Sequence, residues 1–131
     1  MISHTYVGVN DFQRALLFYS AVMDKLGLKL KFAEEGHGWA GWTDPGQDRP
    51  LFLIGRPFDG QPASAGNGAM IALLASTRDM VDAAHGAALE HGGSCEGAPG
   101  LRPHYHANYY GAYFRDLDGN KLAVCCHAAA N

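Results

Sequence analysis

Ile2-Ser3-His4-Thr5-Tyr6-Val7-Gly8-Val9, followed by Asn10-Asp11-Phe12-Gln13, decides how the rest of the chain is parsed. The first run alternates and is β-branched enough to form a strand. Asn10 with Gln13 three places on has the spacing of a capping box, so a helix starts there. Phe12, Ala15, Leu16, Tyr19, Val22, Met23 and Leu26 then recur at steps of three and four. That is one apolar helix face, and Gly27 stops it.

Three short strands are predicted next, at Leu28–Ala33, Gly38–Trp42 and Leu51–Ile54, separated by the turn formers Glu34-Glu35-Gly36 and Asp44-Pro45-Gly46. Gly55 to Gly68 carries four Gly and two Pro without periodicity and reads as a crossover. The order then begins again. Ala69–Ala75 is a strand, Ser76 with Asp79 repeats the cap spacing, and Met80, Val81, Ala84, Ala87 and Ala88 form a weaker helix face ended by Gly92-Gly93. A strand at Ser94–Glu96 leads into a long loop, Gly97–Ala107. Strands Tyr109–Arg115 and Lys121–Cys126 flank Asp118-Gly119, a strong hairpin signal. A shift of 66 places His4 on Met70, Asn10 on Ser76 and Gly27 on Gly93. One βαβββ unit therefore occurs twice in a single domain: module one at about 1–56, a crossover at about 57–67, and module two at about 68–131. The expected class is α+β.

Bulk properties narrow the partners. The chain has 131 residues, is 47% apolar and 18% charged, and carries a net charge of −3 with no basic stripe, so nucleic acid is not an expected partner. No apolar run approaches the roughly 20 residues needed to span a bilayer, and no signal peptide is visible, so neither a membrane nor secretion is expected. Three cysteines, two of them adjacent, make no disulfide framework; a reducing cytoplasm is the simpler assumption.

Residues 2–19 and the ending Tyr113-Phe114-Arg115-Asp116-Leu117-Asp118-Gly119-Asn120-Lys121-Leu122 resemble the vicinal oxygen chelate superfamily, the glyoxalase, bleomycin-resistance and dioxygenase proteins. The ending is close to that family's aromatic-x-Asp-Pro-Asp-Gly-Asn hairpin. Gly55 to Ala63 and Gly97 to Tyr113 look like a glyoxalase-like bacterial branch. The resemblance implies two modules forming a curved sheet cup around a divalent metal, which acts as a Lewis acid on neighbouring substrate oxygens. Its ligands would sit on the first and last strand of each module. Here those positions give His4, Met70, Ala123 and nothing in Leu51–Ile54, so one of four expected ligands remains. A thioether suits such ions poorly and alanine cannot bind any, so a divalent metal lacks its full ligand set.

Other residues point to the cup. His104-Tyr105-His106, if extended, would set two imidazoles on one face to bind a metal or act as acid and base, and Arg102, Asn108, Tyr109 and Tyr110 share their loop. That loop is either a lid over a ligand or a solvated loop packed down by its aromatics. Ala123, Cys125 and His127 share a face by alternation, so a soft-metal site with His4 and Met70 competes with a cysteine that is simply a small buried hydrophobe. Arg56 either anchors a carboxylate or phosphate through two parallel hydrogen bonds or is a surface charge before Pro57. Trp39 and Trp42 lie on opposite faces of one strand, so one of them lines the cup. Asp44, Asp48, Asp59, Asp116 and Asp118 read as turn residues. Three functions compete: a glyoxalase-like lyase, a metal-independent protein that sequesters a small molecule, and a member with no small-molecule role. A homodimer is expected from the resemblance.

Overall fold

The opening pattern is realised as strand β1 (His4–Gly8) and helix α1 (Phe12–Lys25), followed by β2 (Lys29–Glu34), β3 (Trp39–Thr43) and β4 (Leu51–Gly55). The second half repeats the order with β5 (Ile71–Leu74), α2 (Arg78–Glu90), β6 (Ser94–Leu101), β7 (Tyr110–Arg115) and β8 (Lys121–Cys126). The computed structural model describes residues 1–130. Each half forms its own four-stranded mixed sheet, ordered β1-β4-β3-β2 and β5-β8-β7-β6. In each, the first strand runs parallel to the last, pairing His4 with Leu51 and Ile71 with Leu122. No helix among the described residues is long and apolar enough to cross a membrane.

The helices pack against each other and share one core with both sheets. Phe18, Tyr19, Val22 and Met23 of α1 meet Trp42 and Phe52 of the first sheet and Phe114 of the second. Small residues on α2, Ala84 and Ala88, let that helix lie close to its own sheet. Asp116 does more than turn the chain. Its buried carboxylate accepts from the Tyr19 hydroxyl at 2.5 Å, from Asn120 Nδ2 at 2.9 Å, and from the backbone of Asp118 and Asn120 at 2.9 Å each. Four donors satisfy a carboxylate that burial would otherwise make costly, and they fasten α1 to the β7–β8 turn. Gly119, with φ +87°, supplies the left-handed residue of that turn.

Three details differ from the sequence reading. The N-caps are Asp11, accepting from Arg14 N, and Thr77, accepting from Met80 N, each one place after the expected Asn10 and Ser76. Asn10 is instead drawn into a clasp between the modules. It exchanges hydrogen bonds with the Ala63 backbone at 2.7 and 3.1 Å and donates to Asp118 Oδ1 at 2.9 Å. Asn120 Nδ2 returns a bond to the Gly8 carbonyl at 2.9 Å. Finally, β6 continues to Leu101 rather than stopping at Glu96, because Gly97 and Gly100 absorb register shifts while pairing with β7. Only residues 102–109 remain as loop.

Candidate functional site

The side of each sheet turned away from the helices is the open side. On the first sheet, Val7, Ala40, Trp42, Phe52 and Ile54 belong to the core. Alternation therefore puts His4, Tyr6 and Gly8 of β1, Trp39 and Gly41 of β3, and Leu51, Leu53 and Gly55 of β4 on the open side. Gly55 leaves room there, since a Cβ would collide with the Tyr6 hydroxyl and Trp39. Across that gap Tyr6 donates to the Arg56 carbonyl at 2.6 Å. Partial burial pushes the Tyr6 phenol above its ordinary value, so it stays a neutral donor. Trp39 is held by its indole N–H on Glu34 Oε1 at 3.2 Å and by an edge contact with Phe32, ring centroids 4.9 Å apart.

Arg56 and the crossover residues Pro57, Phe58, Asp59, Pro62 and Ala63 close over Tyr6 and Trp39 to leave a hollow of about 650 Å³. That size suits a small organic molecule. Of the two tryptophans, Trp39 lines the hollow and Trp42 is buried in the core rather than packing outward. A second groove, of about 590 Å³, lies between the modules and is lined by Thr43, Leu51 and Phe52 on one side and Leu73, Leu74 and His127 on the other.

His4 lies at the far end of β1, beside Leu51 and bonded through Nδ1 to Ser3 Oγ at 2.9 Å. Two residues of strand, about 7 Å, separate it from Tyr6, where the hollow begins, and His4 is not part of the lining. Met70 is exposed just before β5, and Ala123 is fully buried between Ala72 and Tyr113. Among the described residues no three His, Cys, Asp or Glu side chains gather where they could hold a metal ion. Within the described residues of the single chain His4 thus has no set of partner donors for a divalent metal, and His4, Cys125 and His127 do not come together as a soft-metal site.

The second sheet carries a different constellation. Residues 102–109 form a succession of turns rather than an extended segment. His104 consequently stacks on Tyr105, ring centroids 4.2 Å apart, while His106 Nε2 lies 2.8 Å from His127 Nδ1. The two are not a matched pair of imidazoles. Tyr109 folds over Gly111 and sets its hydroxyl 2.9 Å from Cys125 Sγ and 3.0 Å from the Tyr113 hydroxyl. Burial, then the hydrogen bonds with Cys125 and Tyr113, pushes the Tyr109 phenol well up. Burial also raises the Cys125 thiol, against the opposing pull of Tyr109 and Arg102. Both groups stay protonated at neutral pH, so the cluster packs the loop down and offers no nucleophilic thiolate. Tyr105 is exposed on top of Tyr109, with centroids 4.8 Å apart. Tyr110, expected in the cup, instead packs against the core and donates to Asp82 of α2 at 2.6 Å.

Tyr6, Phe58 and Pro62 were missed by the sequence reading. Tyr6 stands two places after His4 and so shares its strand face, a signal the alternation made available. Nothing in the spacing shows that the crossover folds back over β1. The pairing of buried His85 on α2 with Cys95 Sγ at 3.3 Å likewise has no local signature.

The profile of the Glyoxalase/Bleomycin resistance protein/Dioxygenase superfamily matches residues 1–124. The chain belongs to that superfamily. A glyoxalase/bleomycin resistance protein from Albidiferax ferrireducens T118 is 36% identical, with a TM-score of 0.86 over 96% of this chain and 98% of its own. TnmS3, an antibiotic binding protein from Streptomyces sp. CB03234, shares the fold at 23% identity, with a TM-score of 0.65 over 98% of this chain and 96% of its own. A superfamily enzyme from Burkholderia phytofirmans PsJN does so at 15% identity, with a TM-score of 0.68 over 96% and 98% of the two chains. Among curated proteins none matches. Two mixed four-stranded sheets from tandem βαβββ modules are the architecture that the superfamily resemblance predicted.

Proposed function

We propose that this superfamily member binds a small, partly apolar molecule in the hollow on its first sheet, without a metal. The observation that carries this reading is the make-up of the hollow's wall, which is largely aromatic and apolar with one cation and holds no set of metal donors. Tyr6, Trp39, Pro57 and Phe58 wall the hollow with Arg56, while His4, the surviving metal-ligand position, lies outside the lining and belongs to no group of three His, Cys, Asp or Glu side chains among the described residues. A glyoxalase-like lyase, the reading the family name invites, needs several donors around one ion to make a Lewis acid. The residues present give that reading less support. The superfamily neighbour that binds an antibiotic fits a binding role.

The test is a fluorescence titration with a panel of small aromatic and aliphatic compounds, with metal analysis of protein purified without chelator. Trp39 lines the hollow and Trp42 is in the core, so a bound compound should change the emission of the wild type and leave Trp39→Phe nearly silent. Stoichiometric metal that is lost in His4→Ala would sink the binding reading.

We also propose that the protein is a homodimer in which a second copy covers the open sheet sides. Tyr6 of β1 and Leu74 of β5 are 46% and 71% exposed on the open sides in the single chain, and Met70, just before β5, is 45% exposed, an unusual cost for large apolar side chains. Light scattering should give twice the 14.0 kDa chain mass. Leu74→Asp should shift the protein to the monomer, and an unchanged mass in that variant would count against this interface.

A further inference from the structure

The charges around the hollow narrow what it takes, given the preceding reading that it binds a small molecule. Arg56 is the cationic residue of its wall; its guanidinium lies against Gly38, just before Trp39, and has no side-chain hydrogen bond or ion pair among the described residues. The neighbouring acids are engaged elsewhere. Asp59 Oδ1 accepts from the Gln61 backbone at 3.0 Å, and Glu34 accepts from the Trp39 indole while its other oxygen lies 3.9 Å from His37. The floor, by contrast, is already fixed: Tyr6 is tied to the Arg56 carbonyl and Trp39 to Glu34. Phe58 is fully exposed above them, an aromatic ring without a packing partner.

We propose that the ligand is an aromatic monocarboxylate. Its ring would lie among Tyr6, Trp39 and Phe58, and its carboxylate would take two parallel hydrogen bonds from Arg56. A planar guanidinium matches a carboxylate in this two-point geometry, and the charge-assisted bond is stronger beside apolar walls than in water. A phosphate monoester fits less well. It would bring nearly two negative charges to one cation, with the Asp59 carboxylate on the same wall. The volume of about 650 Å³ admits a fused two-ring acid.

Calorimetric titration of the full chain with 2-naphthoate and 2-naphthamide isolates the charge, because the two share a ring system and size. The acid should bind at least about tenfold more tightly. In Arg56→Gln that ratio should fall to near one while the amide keeps its affinity, and near-ultraviolet circular dichroism should confirm that the variant is folded. An amide that binds the wild type as tightly as the acid, or a preference that survives in Arg56→Gln, overturns the charge assignment and leaves the binding reading standing. Failure of both naphthalenes, when another panel compound perturbs Trp39, overturns the ligand class alone. Silence from every compound in both experiments removes both proposals.

Discussion

His85 sits on the buried face of α2, with Cys95 Sγ 3.3 Å from its Nε2 and the ring of Phe114 nearby. Burial lowers its proton affinity below the ordinary value of 6.5, against the smaller opposing effect of Asp82. The imidazole is therefore neutral in the folded protein. Its contribution is full above the unfolded value and is lost as pH falls, because the unfolded chain then takes up a proton the folded one resists. Urea unfolding at pH 7.5 and 5.5 should show a larger drop in stability for the wild type than for His85→Gln; equal drops would show that the histidine carries no linkage. Single residues were unevenly legible in the sequence. The His4 and Tyr6 alternation was visible, but which of them lines the hollow depends on where the crossover folds back over β1. Tyr110 is the reverse case. It sits in an aromatic-rich stretch that reads as a lid, yet its register on β7 turns it towards α2.

At the scale of elements, both helices were found to within a residue or two, because apolar periodicity is a property of the chain itself. The cap was displaced by one place in each. Asn10 and Ser76 have capping side chains, but capping depends on backbone geometry, and Asp11 and Thr77 hold the extended conformation with the N–H three residues on within reach. Thr77→Ala should consequently cost about 1 kcal/mol in chemical denaturation, and Ser76→Ala much less. A reversed order would restore the sequence-based assignment. The extra length of β6 was hidden for a related reason. Ser94–Leu101 contains Gly97, Pro99 and Gly100, residues that argue against a strand locally, and only pairing with β7 through register shifts holds them extended.

For the whole molecule, the 66-residue repeat led to the correct architecture because each module is built from local patterns repeated in order. How the modules are fastened was not legible. The clasp joins Asn10 to Ala63 and Asp118, and Asn120 to Gly8, across sequence separations that no periodicity records. The same clasp says something about how such a hollow could arise. Joining two copies of a small unit requires of the tether only that it reach from one to the next. Here the tether is pinned at Ala63 and its residues Pro57 to Ala63 wall in the hollow over β1. One unit alone would possess the strands and their aromatic floor but no chamber above them. In this chain the wall over β1 is thus supplied by the connection between the two βαβββ units rather than by the strands of either.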